Sequence, residues 1–143
     1  MEGALSTGAA ITWACTNRAE RPLKVPGPDH PITIEHNPRR VRVVFNGCVV
    51  ANSRRALTMR EANLPLVHYI PREDAVMSLF TRTSRITYCP YKGEAAYFSL
   101  HVEGRASENA VWTYEMPFPE VAEIKGRLAF YPSKVDRIEE VDT

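Results

Sequence analysis

Apolar and polar positions alternate in short runs along most of the chain. RVRVVF at Arg40 to Phe45 opens the series and CVVA at Cys48 to Ala51 answers it. Asn46-Gly47 between them is the strongest short-range signal for a two-residue hairpin turn. Further strands are expected over 66–70, 77–81, 86–88, 95–102, 109–114, 127–131 and 135–139, with turns at 82–84 and at Glu103-Gly104-Arg105. RALTMRE at Arg55 to Glu61 is built from good helix formers. It is too short for a stable helix and sits among strands, so it is assigned as a strand. EVAEIK at Glu120 to Lys125, stopped by Gly126, predicts one short helix near 119–125. Nine or so short strands at roughly 8–12-residue spacing predict an all-β fold of twisted antiparallel sheets, as a sandwich or partly open barrel.

Proline supports this reading. The 11 prolines cut the chain into pieces that suit strands and exclude long helices. Met1 to Leu23 shows no period and is read as a flexible tail. Lys24 to the end reads as a single β domain, entered by an extended, proline-rich leader over 24–39. Ile32-Thr33-Ile34 in that leader is expected to add a short strand.

Composition removes several function classes. A chain of 143 residues with 44% hydrophobic content and a net charge of +1 has no basic footprint for nucleic acid. No apolar run reaches membrane-spanning length. The start, MEGALSTGAA, lacks the pattern of a secretory signal, and a cytoplasmic setting is expected. Cys15, Cys48 and Cys89 are odd in number and far apart, which gives neither a disulfide framework nor a zinc half-site. The four histidines lack the spacing of a metal-ligand pair. No metal, cofactor, nucleic acid or membrane partner is expected, and homo-oligomerisation is left open.

The densest chemistry lies in ITYCPYKGEAAYFSL at Ile86 to Leu100. Cys89-Pro90-Tyr91-Lys92 suits a β-turn, with Gly93 free to release the chain into the next strand. An ammonium across that turn would favour the Cys89 thiolate. The competing reading is a small buried thiol beside a solvated lysine on a tight turn.

From about Lys24 to Glu140 the chain resembles the bacterial and fungal family known as domain of unknown function 427. VRVVFNG, RALTMRE, HYIPREDA, TYCPYKGEAAYFSL, AVWTYEMPFPE and GRLAFYP carry the resemblance, in that order. It implies a β-tent-like arrangement of twisted antiparallel sheets. Many β-tent proteins hold zinc through two CxxC pairs, which this chain lacks. The family is sometimes labelled nucleotidyltransferase-like. The chain has no Gly-Ser followed by a D-x-D pair for magnesium and no glycine-rich phosphate loop.

The motif residues Arg55, Glu61, Tyr69, Asp74, Cys89, Tyr91, Lys92, Tyr97, Trp112 and Tyr114 mix both charges with aromatics. A pocket for a small polar or anionic molecule asks for such a mixture. Arg55 or Lys92 would hold the anion, while Tyr69, Asp74, Tyr91, Trp112 and Tyr114 complete the walls. Trp112 and Tyr114, two apart on one strand, share a face. The alternatives are an enzyme with Cys89 as nucleophile or redox thiol, Lys92 activating it and Glu61 or Asp74 as acid or base, or a protein-interaction domain using a sheet edge. Each residue also has a packing role open to it: Arg55–Glu61 as an ion pair, Asp74 in a turn, Trp112 as a core anchor.

Overall fold

The computed structural model describes residues 23–142. Of the expected tail, Met1 to Pro22 lies outside the described residues. The architecture is all-β. Ten strands run in chain order: β1 (Ile32–His36), β2 (Arg40–Phe45), β3 (Cys48–Ser53), β4 (Leu57–Glu61), β5 (Val67–Tyr69), β6 (Phe80–Cys89), β7 (Gly93–Val102), β8 (Arg105–Thr113), β9 (Leu128–Phe130) and β10 (Arg137–Val141). They form three antiparallel sheets, ordered β1-β4-β5, β10-β2-β3 and β6-β7-β8-β9, and none closes into a barrel.

Turn chemistry sets the hairpins. Asn46 and Gly47 take φ of 50° and 75°, and Glu103 and Gly104 take 49° and 78°. Positive φ at both central residues matches the twist of the flanking strands, which is why these pairs join β2 to β3 and β7 to β8. The leader is not a free arm. Lys24 N donates to Pro90 O at 2.9 Å, and β1 pairs with β4 so that Ile32 faces Glu61.

Two expectations are corrected. Met77–Leu79 is a 3-10 turn, and the strand begins only at Phe80. Arg82-Thr83-Ser84 is no chain reversal: β6 runs through it with a register shift between Arg82 and Ile86. Its polar side chains are satisfied in place, since Thr83 Oγ1 donates to Asn109 Oδ1 at 2.7 Å. β8 carries its own extra residues between Ser107 and Val111, opposite Phe98 to Leu100 of β7, so both neighbours of β7 bulge close together and the sheet bends there. The expected helix near 119–125 is present as a 3-10 segment, Pro119–Ile124, kinked at Val121. No helix among the described residues is long and apolar enough to cross a membrane.

The pleat of the four-stranded sheet divides the interior. Phe98, Leu100 and Val102 on one face of β7 pack with Val41, Val43 and Phe45 of β2 and Val50 of β3. Ala95 and Tyr97 on the other face pack with Met59, Tyr69 and the Val121–Ile124 segment. The first cluster is wholly apolar. The second carries three phenol rings, and the site described next opens from it.

Candidate functional site

Strand parity builds the site. On β4, Leu57, Met59 and Glu61 point to one side, and the β4–β5 register sets Tyr69 opposite Leu57 and Val67 opposite Met59. On the facing sheet, Tyr97 of β7 pairs with Trp112 of β8, which pairs with Ala129 of β9. These two surfaces enclose a cleft of about 230 Å³ lined by Glu61, Leu64, Val67, Tyr69, Lys92, Tyr97, Trp112, Tyr114 and Tyr131.

Lys92 arrives from the turn between β6 and β7. Lys92 N donates to Cys89 O at 3.2 Å, closing the turn, and Phe118 N donates to Lys92 O at 3.1 Å, tying it to the segment after β8. Gly93 has a φ of 109°, and a Cβ there would meet Met116 O at 3.5 Å. Only glycine adopts that backbone freely, so Gly93 fixes the direction in which Lys92 enters the interior. The Lys92 side chain is buried and its ammonium donates to Glu61 Oε1. Glu61 Oε2 lies 2.7 Å from His30 Nε2, and the His30 ring stacks on Tyr91 at 3.8 Å and 6°. Tyr91 thus backs the ion pair from the leader side and does not line the cleft.

The aromatic wall is continuous. Tyr69 meets Trp112 edge to face at 6.5 Å, and Trp112 meets Tyr131 at 4.5 Å. Lys92 Nζ sits 6.0 Å over the Tyr114 ring. Trp112 is only partly buried and lines the cleft. Thr87 Oγ1 and Tyr97 Oη lie 2.8 Å apart, and Tyr97 Oη lies 3.4 Å from Tyr131 Oη.

The site controls its protons. Burial works against the Glu61 charge, but hydrogen bonds and charge from Lys92 and His30 outweigh it and hold the carboxyl below its usual value. Burial pushes the Tyr69 and Tyr114 phenols far up, and pushes Tyr131, hydrogen-bonded to Tyr97, up to about 12. Tyr97 moves the other way. Burial opposes its ionisation, but the hydrogen bonds from Thr87, Tyr131 and Arg85 prevail. At neutral pH the cleft therefore holds one balanced ion pair and four neutral phenols, each able to donate and accept.

Of the ten residues singled out in the sequence, Glu61, Tyr69, Lys92, Tyr97, Trp112 and Tyr114 come together here. Arg55 and Asp74 do not. Their expected neighbourhood is corrected by a fork: Arg55 Nη2 donates to Asp74 Oδ1 at 3.0 Å and Arg55 Nε to Oδ2 at 3.2 Å. Ser53 Oγ adds a bond of 2.6 Å to Asp74 Oδ2. Arg55 of this pair lines a separate cleft of about 420 Å³ with Arg72, Glu115 and Arg127. An Arg55–Glu61 ion pair is therefore not formed. Arg127 Nη1 donates to the Arg55 carbonyl at 2.7 Å, so the fork braces the entry to β4. Cys89 packs against the aromatic cluster without lining the cleft. Its expected activator is committed elsewhere, because the Lys92 ammonium donates to Glu61. Cys48 packs against the other apolar cluster, with Cys89 on the far side of the four-stranded sheet from it.

His30 and Tyr131 complete the site without having been singled out in the sequence. His30 had no local signal, since only the β1–β4 register carries it to Glu61. Tyr131 had one: it continues the alternation of β9, two positions after Ala129. Among the described residues no three His, Cys, Asp or Glu side chains gather as a metal-holding group.

A comparison with curated proteins returns no match. A family model described as a domain of unknown function (DUF427) matches residues 33–141, a span that holds every cleft residue and stops three short of His30. The chain belongs to that family.

Proposed function

We propose that the protein binds a small polar molecule in the cleft floored by Glu61 and Lys92 and walled by Tyr69, Trp112 and Tyr114. The buried ion pair carries this reading. Glu61 and Lys92 are each 8% exposed. Burying two charges costs several kcal/mol per ion, and well-packed apolar side chains would serve stability about as well. Such a pair at the floor of an aromatic cleft has its use in recognition. Because Glu61 already neutralises Lys92, the cleft suits an uncharged or zwitterionic hydrogen-bonding group better than a bare anion. The partly exposed indole offers a platform for a planar group.

A thermal-shift screen of metabolites tests the reading. A ligand that stabilises the native chain is expected to lose its effect in Trp112→Ala and in the charge-neutral double variant Glu61→Gln/Lys92→Met. A stabilising metabolite that survives both changes binds elsewhere and refutes the assignment.

A further inference from the structure

The polar cleft does not end at Trp112. Beside it runs a groove of about 730 Å³, and the two cavities share Leu64, Val67, Trp112 and Tyr131. Trp112 and Tyr131, in contact at 4.5 Å, thus line both cavities where they adjoin. The groove is lined chiefly by apolar side chains, among them Leu66, Ile70, Phe130 and Ile138. Its polar members are already engaged. His68 bonds Thr58 and Glu140, Asp136 accepts from Gly47 N, and Arg137 donates to Glu139. Leu64, at 57% exposure, holds apolar surface in water where it lines both cavities, and Leu66, at 45%, does so along the groove.

Size decides how the two relate. Pockets for small molecules run about 300–1,000 Å³. The cleft alone, at about 230 Å³, falls short of that range. Cleft and groove together approach its upper end.

We propose that cleft and groove are one site and that its ligand is an amphipathic small molecule. An uncharged hydrogen-bonding head reaches Glu61, Lys92 and the tyrosine hydroxyls. An apolar body passes Trp112 and lies along Leu66 and Ile138. The proposal rests on the cleft being a binding site and extends it by naming the class of ligand.

A homologous series of primary amides, from acetamide through butanamide and hexanamide to octanamide, tests it. The head is constant and only the alkyl chain grows. Binding is read by titration calorimetry, and its location by fluorescence of Trp112 in a Trp13→Phe background. Each added methylene is expected to tighten binding about three- to fourfold, from about 0.8 kcal/mol per buried CH₂, until the groove is filled. Leu66→Glu changes a largely exposed side chain, so the fold is retained. It is expected to flatten the length dependence while leaving the short amides bound. An affinity that does not rise with chain length in the native protein overturns the proposal and leaves the cleft assignment standing. Amides that bind without changing Trp112 fluorescence overturn both. Octanamide that fails to bind up to its solubility limit overturns the proposal. A dimer that Leu66→Glu converts to monomer would mean that a second copy covers the groove, which also overturns it.

Discussion

Replacing Lys92 by Met removes the counter-charge of a carboxylate that has almost no access to water. The methionine fills most of the lysine stem, so the perturbation is electrostatic rather than a loss of volume. Glu61 keeps one partner, His30 at 2.7 Å. Breaking a buried pair by removing one partner costs about 3–5 kcal/mol, and the surviving His30 contact places this case near 3 kcal/mol. That is a large share of the roughly 5–15 kcal/mol of a whole domain. The double variant Glu61→Gln/Lys92→Met behaves differently. It buries no charge and its amide still reaches His30, so it is expected to lie within about 1 kcal/mol of the native chain. Urea unfolding at pH 7 reads both. With a slope of about 2 kcal/mol per molar, Lys92→Met lowers the midpoint by roughly 1.5 M and the double variant by less than about 0.5 M. A cost for Lys92→Met below about 1 kcal/mol would give the pair the value of a surface ion pair and refute the reasoning. So would a double variant as unstable as the single one.

Four other outcomes follow from the same structure. Gly93→Ala places a side chain at a φ of 109° and is expected to cost about 1–3 kcal/mol in urea unfolding, whereas Gly27→Ala, with nothing within 4 Å and no positive φ, stays near neutral. Glu61 has a folded pKa below its unfolded one, so its stabilisation is complete above about 4.5 and is lost as pH falls through the lower folded value; Glu61→Gln removes that part of the acid limb. Burial lowers His68 against the opposing pull of Glu140, so the unfolded chain takes the proton more readily and stability already declines as pH falls below 6.5; His68→Gln flattens the urea midpoint between pH 7 and 5. In alkaline titration followed near 295 nm, Tyr97 ionises ahead of the other cleft phenols, and Tyr114→Phe leaves the folded-state curve unchanged because Tyr114 does not ionise before unfolding.

The sheets were legible because their signals are local. Asn46-Gly47 dictates its own hairpin, and period-two alternation marks β7 and β8 whatever they pack against. Arg82-Thr83-Ser84 misled for the same reason. Polar residues in a row look like a turn, and partners far along the chain, Asn109 for Thr83 and Glu115 for Arg82, let them stay in a strand. Met77 was read as strand because its apolar neighbours carry no mark of a 3-10 turn.

The site was legible by halves. Residue type drew attention to Lys92, Glu61 and Trp112, and the Cys89–Lys92 turn was visible through Pro90 and Gly93. Which groups meet was not visible, because Lys92 and Glu61 lie 31 positions apart. Arg55 and Asp74 look as suitable as any other charged pair until the 3-10 turn Arg72–Asp74 carries Asp74 to the edge of β3. One usable signal was in the chain. Leu57, Met59 and Glu61 alternate with Thr58 and Arg60, which puts a carboxylate on an apolar strand face. A charge in that position needs a partner, and Lys92 supplies it.

The most direct measurement is a proton–nitrogen correlation spectrum of the native chain during addition of small uncharged hydrogen-bonding fragments, with the Trp112 indole N–H as the reporter. The Trp13→Phe background removes the other indole signal. The account predicts that fragments which bind shift the Trp112 indole together with the Lys92 and Gly93 amides. Fragments that bind while leaving those three signals in place, and move residues around Arg55 and Arg127 instead, would contradict it.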